Sequence, residues 1–224
     1  VTVRNFTNNG SSITILADAA AGLRPVVSPP LGSTAAFVIA NASVNVQGLY
    51  VLANQSVPYG VWASSAYVTI SSVVISTSGD LGIYAAGVRI SSWSALSYST
   101  ITVWNAHGVW LDGSTRTYVS YSSATTADAT HWALWLNGAD SNTITGSYFA
   151  NSSGEGVYLD VGAENNLISQ STTAAYSTAL NLSNSYRNTI TGSYMQSLTN
   201  HSVILGNSDY NAVSLSTVIA INDG

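Results

Sequence analysis

Asp112 and Asp160 close two stretches of one pattern, Gly-Val-Trp-Leu-Asp at 108–112 and Gly-Val-Tyr-Leu-Asp at 156–160. Two carboxylates at matched positions are the equipment of glycoside hydrolysis, one acting as acid and the other as base or nucleophile. His107 stands just before the first stretch, and Arg89 one pattern earlier. A lyase or epimerase would take His107 or Tyr158 as its base. The same pattern carries an aromatic column, Trp62, Trp110, Trp135 and Tyr158, with Asn137 matching the two aspartates. Rings in an exposed row stack on a ligand or pack on another protein.

Whether these side chains meet depends on the elements that carry them. The heptad Asn-Thr-Ile-Thr-Gly-Ser-Tyr occurs twice, at 142–148 and 188–194. Anchored on its Ile, an apolar column runs Val46, Ile70, Leu96, Val119, Ile144, Ile168, Ile190 and Val213. A second column runs beside it: Val38, Val61, Val88, Val109, Leu134, Val157, Leu180 and Val203. A third, noisier one follows: Tyr50, Ile75, Ile101, Ala124, Phe149, Thr173, Met195 and Val218. The repeat is 23–24 residues with three short segments alternating at period two, which is strand rather than helix. Strands this short cannot bury a face without neighbours above and below. The fold expected is all-β, a single right-handed parallel β-helix of about 8–9 coils. Residues 1–34 form an irregular first coil (around Ile15 and Leu23) with a Pro-rich loop, and 35–220 form regular coils. At the strand spacing, the stack is a rod of roughly 40 Å.

In this register Asp112 and Asp160 are two coils apart, about 9–10 Å between Cα atoms, near the upper end for an inverting pair. The heptad itself reads as architecture. Asn142, Asn166, Asn188 and Asn211 share one corner, where Asn tolerates a left-handed backbone and stacked amides can bond along the axis. Gly146 allows a bend, and Ser99, Ser122, Ser147, Ser171, Ser193 and Ser216 form a small-residue corner column.

The coils Asn-Thr-Ile-Thr-Gly-Ser (142–147), Asn-Leu-Ile-Ser-Gln-Ser (166–171) and Asn-Thr-Ile-Thr-Gly-Ser (188–193) resemble the pectate-lyase-like superfamily of right-handed parallel β-helix repeat proteins. The resemblance covers about residues 35–220 and implies the fold. It leaves the function to the outer faces, because that superfamily spans lyases, hydrolases, epimerases, phage spikes, adhesins and plain rods. Its enzymes place their clefts on a strand face flanked by long loops, and the coils here are lean. No catalytic residue is therefore assigned, with Asp112, Asp160, His107 and Arg89 as the candidates should the chain be an enzyme.

Composition narrows the partners. Only 7% of the 224 residues are charged while 46% are hydrophobic, which describes a core coated with hydroxyls and amides, not a disordered chain. A net charge of −5 without a basic run argues against nucleic acid. No apolar stretch is long enough for a membrane helix. With no Cys, neither a disulfide framework nor a thiolate metal site can form; His107 and His131 lack an obvious third ligand, so neither metal nor cofactor is expected. Sequons begin at Asn5, Asn9, Asn41, Asn54, Asn151, Asn181 and Asn200, little more than a chain this rich in Asn, Ser and Thr supplies by chance. A hydroxyl column (Ser71 to Ser214) lacks the regular second column that an ice-binding face needs. Both chain ends alternate like strands, and unsealed strand edges invite pairing. The function expected is an extracellular or cell-surface structural subunit that stacks on copies of itself head to tail, in a filament or adhesive fibre. The alternative is a polysaccharide-binding or -cleaving β-helix using the Trp62–Tyr158 face.

Overall fold

The computed structural model describes residues 1–6, 12–17, 24–53, 57–64, 67–80 and 85–221. Leu23 lies outside them. Among these residues 26 strands, every pair of them parallel, stack into three faces of nine strands each, the long strand Ala35–Gln47 serving two faces. The chain passes from the first face (for example His107–Asp112) to the second (Tyr118–Ser120), the third (Ser123–Thr126), and back to the first one coil on (Leu134–Asn137). The result is a parallel β-helix. No helix long and apolar enough to cross a membrane is present among the described residues.

The apolar columns form its axis. On the second face the register pairs Val46 with Ile70, then Leu96, Val119, Ile144, Ile168, Ile190 and Val213, one residue per coil. On the other two faces it follows the sequence columns except at one coil. Phe37, not Val38, pairs with Val61, and Val51, not Tyr50, pairs with Ile75. The stretch Ala-Ala-Phe-Val-Ile-Ala at 35–40 is apolar throughout, so alternation there carries no phase. Val38 turns outward and is buried by other means, described below.

Two corners are set by side-chain ladders. Between the first and second faces, the Asn166 amide donates to Asn188 Oδ1 at 2.9 Å and to the Ala139 carbonyl at 2.8 Å. Its own Oδ1 accepts the Asn142 amide and backbone N–H, each at 3.0 Å. Asn188 repeats the arrangement onto Asn211. Thr117 and Ser94 hold the same position in earlier coils, with hydroxyls in place of amides. The left-handed backbone is not borne by these asparagines. It falls on the residue before each: Trp93, Arg116, Ser141, Asn165, Arg187 and Tyr210, all near φ +54 to +61. The ladder residue needs an extended backbone so that its amide points into the stack, and its neighbour absorbs the turn.

Between the second and third faces, each Ser of the serine column accepts a backbone N–H from the coil before, as Ser147 does from Ser122 at 3.2 Å, and donates to the carbonyl two residues back. The left-handed residue again precedes it: Tyr98, Tyr121, Gly146, Gln170, Gly192 and Leu215. Gly146 in the heptad is one of them, and only glycine occupies that conformation without cost.

Candidate functional site

The outward side chains of the first face do not lie open to solvent. Trp110 and Trp135 sit on adjacent coils in register and stack at 4.5 Å and 19° between ring planes. Their exposures are 5% and 9%, so the exposed aromatic ribbon expected from the sequence is, at its centre, a buried stack. Trp62 and Tyr158 at its ends are half-buried. Parallel in-register strands put identical side chains about 4.8 Å apart, the thickness at which rings consume one another's faces. Val38, Tyr59 and Ala86 join this second hydrophobic cluster, outside the coil wall.

A corner that the sequence columns did not mark completes it on one side, and Arg89 of the outward column completes it on the other. The corner from the third to the first face carries Asp128, Thr130, His131 and Trp132 in one coil. Asp128 Oδ1 accepts the Thr130 N–H and hydroxyl at 2.6 Å and meets His131 Nδ1 at 2.7 Å. The buried Asn151 amide, one coil later, bridges the carbonyls of Asp128, His131 and Glu155. This staple lays Trp132 across the face, stacked on Tyr158 at 4.5 Å and on His107 at 5.0 Å with a 7° tilt. At the other end the Arg89 guanidinium lies 4.2 Å above the Trp110 ring and reaches Tyr59 and Asp112. Only the lengths of these turns and the types of residue within them could have signalled the arrangement.

Every carboxylate on the face has partners. Asp112 takes the Arg89 guanidinium on Oδ2 and the Asn137 amide on Oδ1 at 3.1 Å. Asp160 Oδ1 accepts the Trp135 indole N–H at 2.9 Å. Glu155 accepts the Trp132 indole at 2.9 Å and the Asn181 amide at 3.0 Å. One donor is left over: buried Trp110 Nε1 has no partner among the described residues. Asp112, Asn137 and Asp160 stand in register on three successive coils, so the two aspartates are separated by the amide that one of them binds.

Burial sets the proton affinities. It holds the Asp160 carboxyl above the usual range, against the opposing indole hydrogen bond from Trp135. It also raises the Tyr158 phenol, with Asp160 and Glu155 adding to the effect and a Ser183 hydrogen bond opposing it. His107 is driven down to about 3 by burial and by His131 beside it, and Asp128 only partly offsets this. His107 is therefore neutral, its Nδ1 accepting the Trp132 backbone N–H at 3.1 Å, which leaves the proton on Nε2. The Asp128 carboxyl is lowered on balance, because hydrogen bonds from Thr130 and His131 outweigh its desolvation.

The family model for a right-handed β-helix region matches residues 86–224. The chain belongs to the right-handed β-helix family. Neither a curated protein nor a solved structure matches it. Within this β-helix the sequence-chosen residues Arg89, His107, Trp110, Asp112, Trp135, Asn137, Tyr158 and Asp160 do gather on one face, with Trp62 at its edge. Asn142, Asn166, Asn188 and Asn211 lie at the neighbouring corner. His107 and His131 approach to 4.7 Å between ring centroids, but no cluster of three metal-ligating side chains occurs among the described residues. Cavities of about 350 Å³ open beside Trp62 and Arg4 and beside His201 and Val218, and one of about 230 Å³ opens on the third face between Tyr148 and Tyr176.

Proposed function

We propose that the chain is a non-enzymatic structural β-helix that assembles head to tail with copies of itself, at a cell surface or outside the cell. The observation that carries this reading is the axial register: all described strands are parallel, and the core columns run from Val3, Ile15 and Val27 to Leu205, Val213 and Val218 with one residue per coil. All strands run parallel, so a second copy displaced along the axis meets Leu205 with Val3, Val213 with Ile15 and Val218 with Val27. Such a heterologous contact does not close and gives a filament. The first-face groups support the reading from the other side, since the carboxylates Asp112, Glu155 and Asp160 are all engaged by neighbouring side chains. Electron micrographs of the purified protein test it: fibres with an axial repeat of roughly 40 Å are expected, and a strict monomer at high concentration would sink it.

A second reading, polysaccharide binding or cleavage on the first face, is favoured by the raised Asp160 carboxyl two coils from Asp112. An acid whose proton affinity is raised by burial, beside a second carboxylate paired with Arg89, is the kind of pairing such chemistry draws on. A reducing-end assay on acidic and neutral polysaccharides, with Asp160→Asn as the inactive control, separates the two readings.

A further inference from the structure

A group of aromatic rings that do reach solvent lies on a different face. Tyr67, Trp93, Tyr98, Tyr118 and Tyr121 are all exposed, within the coils that form the second face between residues 67 and 121. Tyr67 and Trp93 pack against each other at 6.3 Å, and Arg116 lies 4.5 Å above the Trp93 ring. Together they line the corner toward the first face. Tyr98 and Tyr121, nearly parallel at 5.3 Å and 13°, line the corner toward the third. Between the two borders the outward positions are Thr69, Ser71, Ala95, Ser97, Tyr118 and Ser120, short except for Tyr118. The result is a shallow trough along the rod with aromatic edges, a row of serines along its floor and the Tyr118 ring rising from the floor in the last of its coils.

The backbone makes the choice of residue informative. Trp93, Tyr98 and Tyr121 stand at left-handed corner positions, φ +61, +48 and +47. The corner column of Tyr98 and Tyr121 accepts glycine at 48, 146 and 192. A bulky side chain there costs roughly 1–2 kcal/mol that glycine would not. Nothing in the core recovers that cost, because Tyr98 and Tyr121 remain 66% and 58% exposed. The Tyr121 ring is seated over Gly146, where a Cβ would come within 2.8 Å of it, so the heptad's glycine also makes room for the ring.

We infer that this trough binds a neutral polysaccharide, without cleaving it. Exposed rings match the apolar C–H faces of sugars, and the Ser and Thr floor matches their hydroxyls. A protein partner would need a continuous apolar centre to desolvate, and the row of Ser71, Ser97 and Ser120 runs through the middle of this surface. Among the described residues its one charged side chain, Arg116, is already engaged by Trp93, which does not suit an anionic chain.

Retention of the purified protein on insoluble cellulose, chitin and β-1,3-glucan, and affinity electrophoresis in hydroxyethylcellulose and laminarin, test the inference. Binding to at least one neutral glycan is expected, with quenching of tryptophan fluorescence. Trp93→Ala weakens it about tenfold, as does Tyr121→Gly. Tyr98→Gly and Tyr121→Gly relieve a left-handed backbone, so their melting temperatures should be no lower than that of the parent, which separates lost binding from lost folding. Trp104→Ala, an exposed ring on the third face, leaves binding unchanged. Failure of every neutral glycan overturns the inference, as does tighter retention by polygalacturonate or alginate. If the trough variants instead abolish self-association in the absence of carbohydrate, the surface is a protein interface and the inference is equally wrong. Axial fibre formation by Tyr98→Gly is expected to be intact, so this result and that of the assembly test are independent.

Discussion

At the scale of single residues, the first face rewards attention to atoms rather than to residue types. Trp110 and Trp135 look equivalent in sequence and stack on each other, yet only Trp135 has a partner for its indole nitrogen. Replacing Trp110 by Phe keeps most of the stack and removes an unpaired buried donor, whose burial costs about 1–3 kcal/mol. Replacing Trp135 by Phe strips Asp160 of its hydrogen bond. Chemical denaturation should find W110F within about 1 kcal/mol of the parent and W135F clearly less stable. His107 supplies a second residue-scale prediction. Its folded pKa, about 3, lies below the ordinary 6.5. Between those values the unfolded chain binds a proton that the folded one refuses, so stability falls as the pH is lowered from about 6.5 toward 3 and is fully present above. The slope contributed is on the order of 1.4 kcal/mol per pH unit. His107→Asn retains an acceptor for the Trp132 N–H and has nothing to titrate. Melting curves across that range should be flatter for H107N than for the parent, and equal slopes would rule out a buried neutral His107.

At the scale of elements, the strands are too short to hold themselves and the corners carry much of the specificity. Asn166 is the middle of the amide ladder: it satisfies the Asn142 backbone and side chain above, and the Ala139 carbonyl and Asn188 amide oxygen around it. Asn166→Ala leaves several buried polar groups unpaired and is expected to cost about 3 kcal/mol, measured by urea denaturation. Asn166→Asp should not rescue it, because a carboxylate accepts from Asn142 but cannot donate to Ala139 or Asn188. The ladder was legible in the sequence as four asparagines at one phase. Its extension through Thr117 and Ser94 was not, because a hydroxyl does the same work and the residue type changes. The left-handed residue was likewise misplaced onto the asparagines, since spacing marks a corner but not which of two adjacent residues absorbs the turn.

At the scale of the whole molecule, a coil touches only the coils above and below it, so stability spreads along the axis as a sum of neighbour contacts. The last described coil contributes little to that sum and much to any axial contact. Val213→Lys should therefore leave the melting temperature of the monomer nearly unchanged while abolishing fibres, seen by sedimentation velocity. The same substitution at Ile144, fully buried in the middle of the stack, should prevent folding. Fibres formed equally well by V213K would remove the axial contact from consideration. Sequence alone determined the repeat, the three columns and the parallel stack, because a chain that buries one axis must place apolar residues at a fixed period, and period is readable in one dimension. Only the tertiary structure decided which outward rings are buried and which are free. An outward residue is covered by whatever lies beside it, here Trp132 from a neighbouring turn. That lateral covering has no period. It closed the Trp110–Trp135 column that the sequence marked as open, and left Tyr98 and Tyr121, which fall in no apolar column, at the surface.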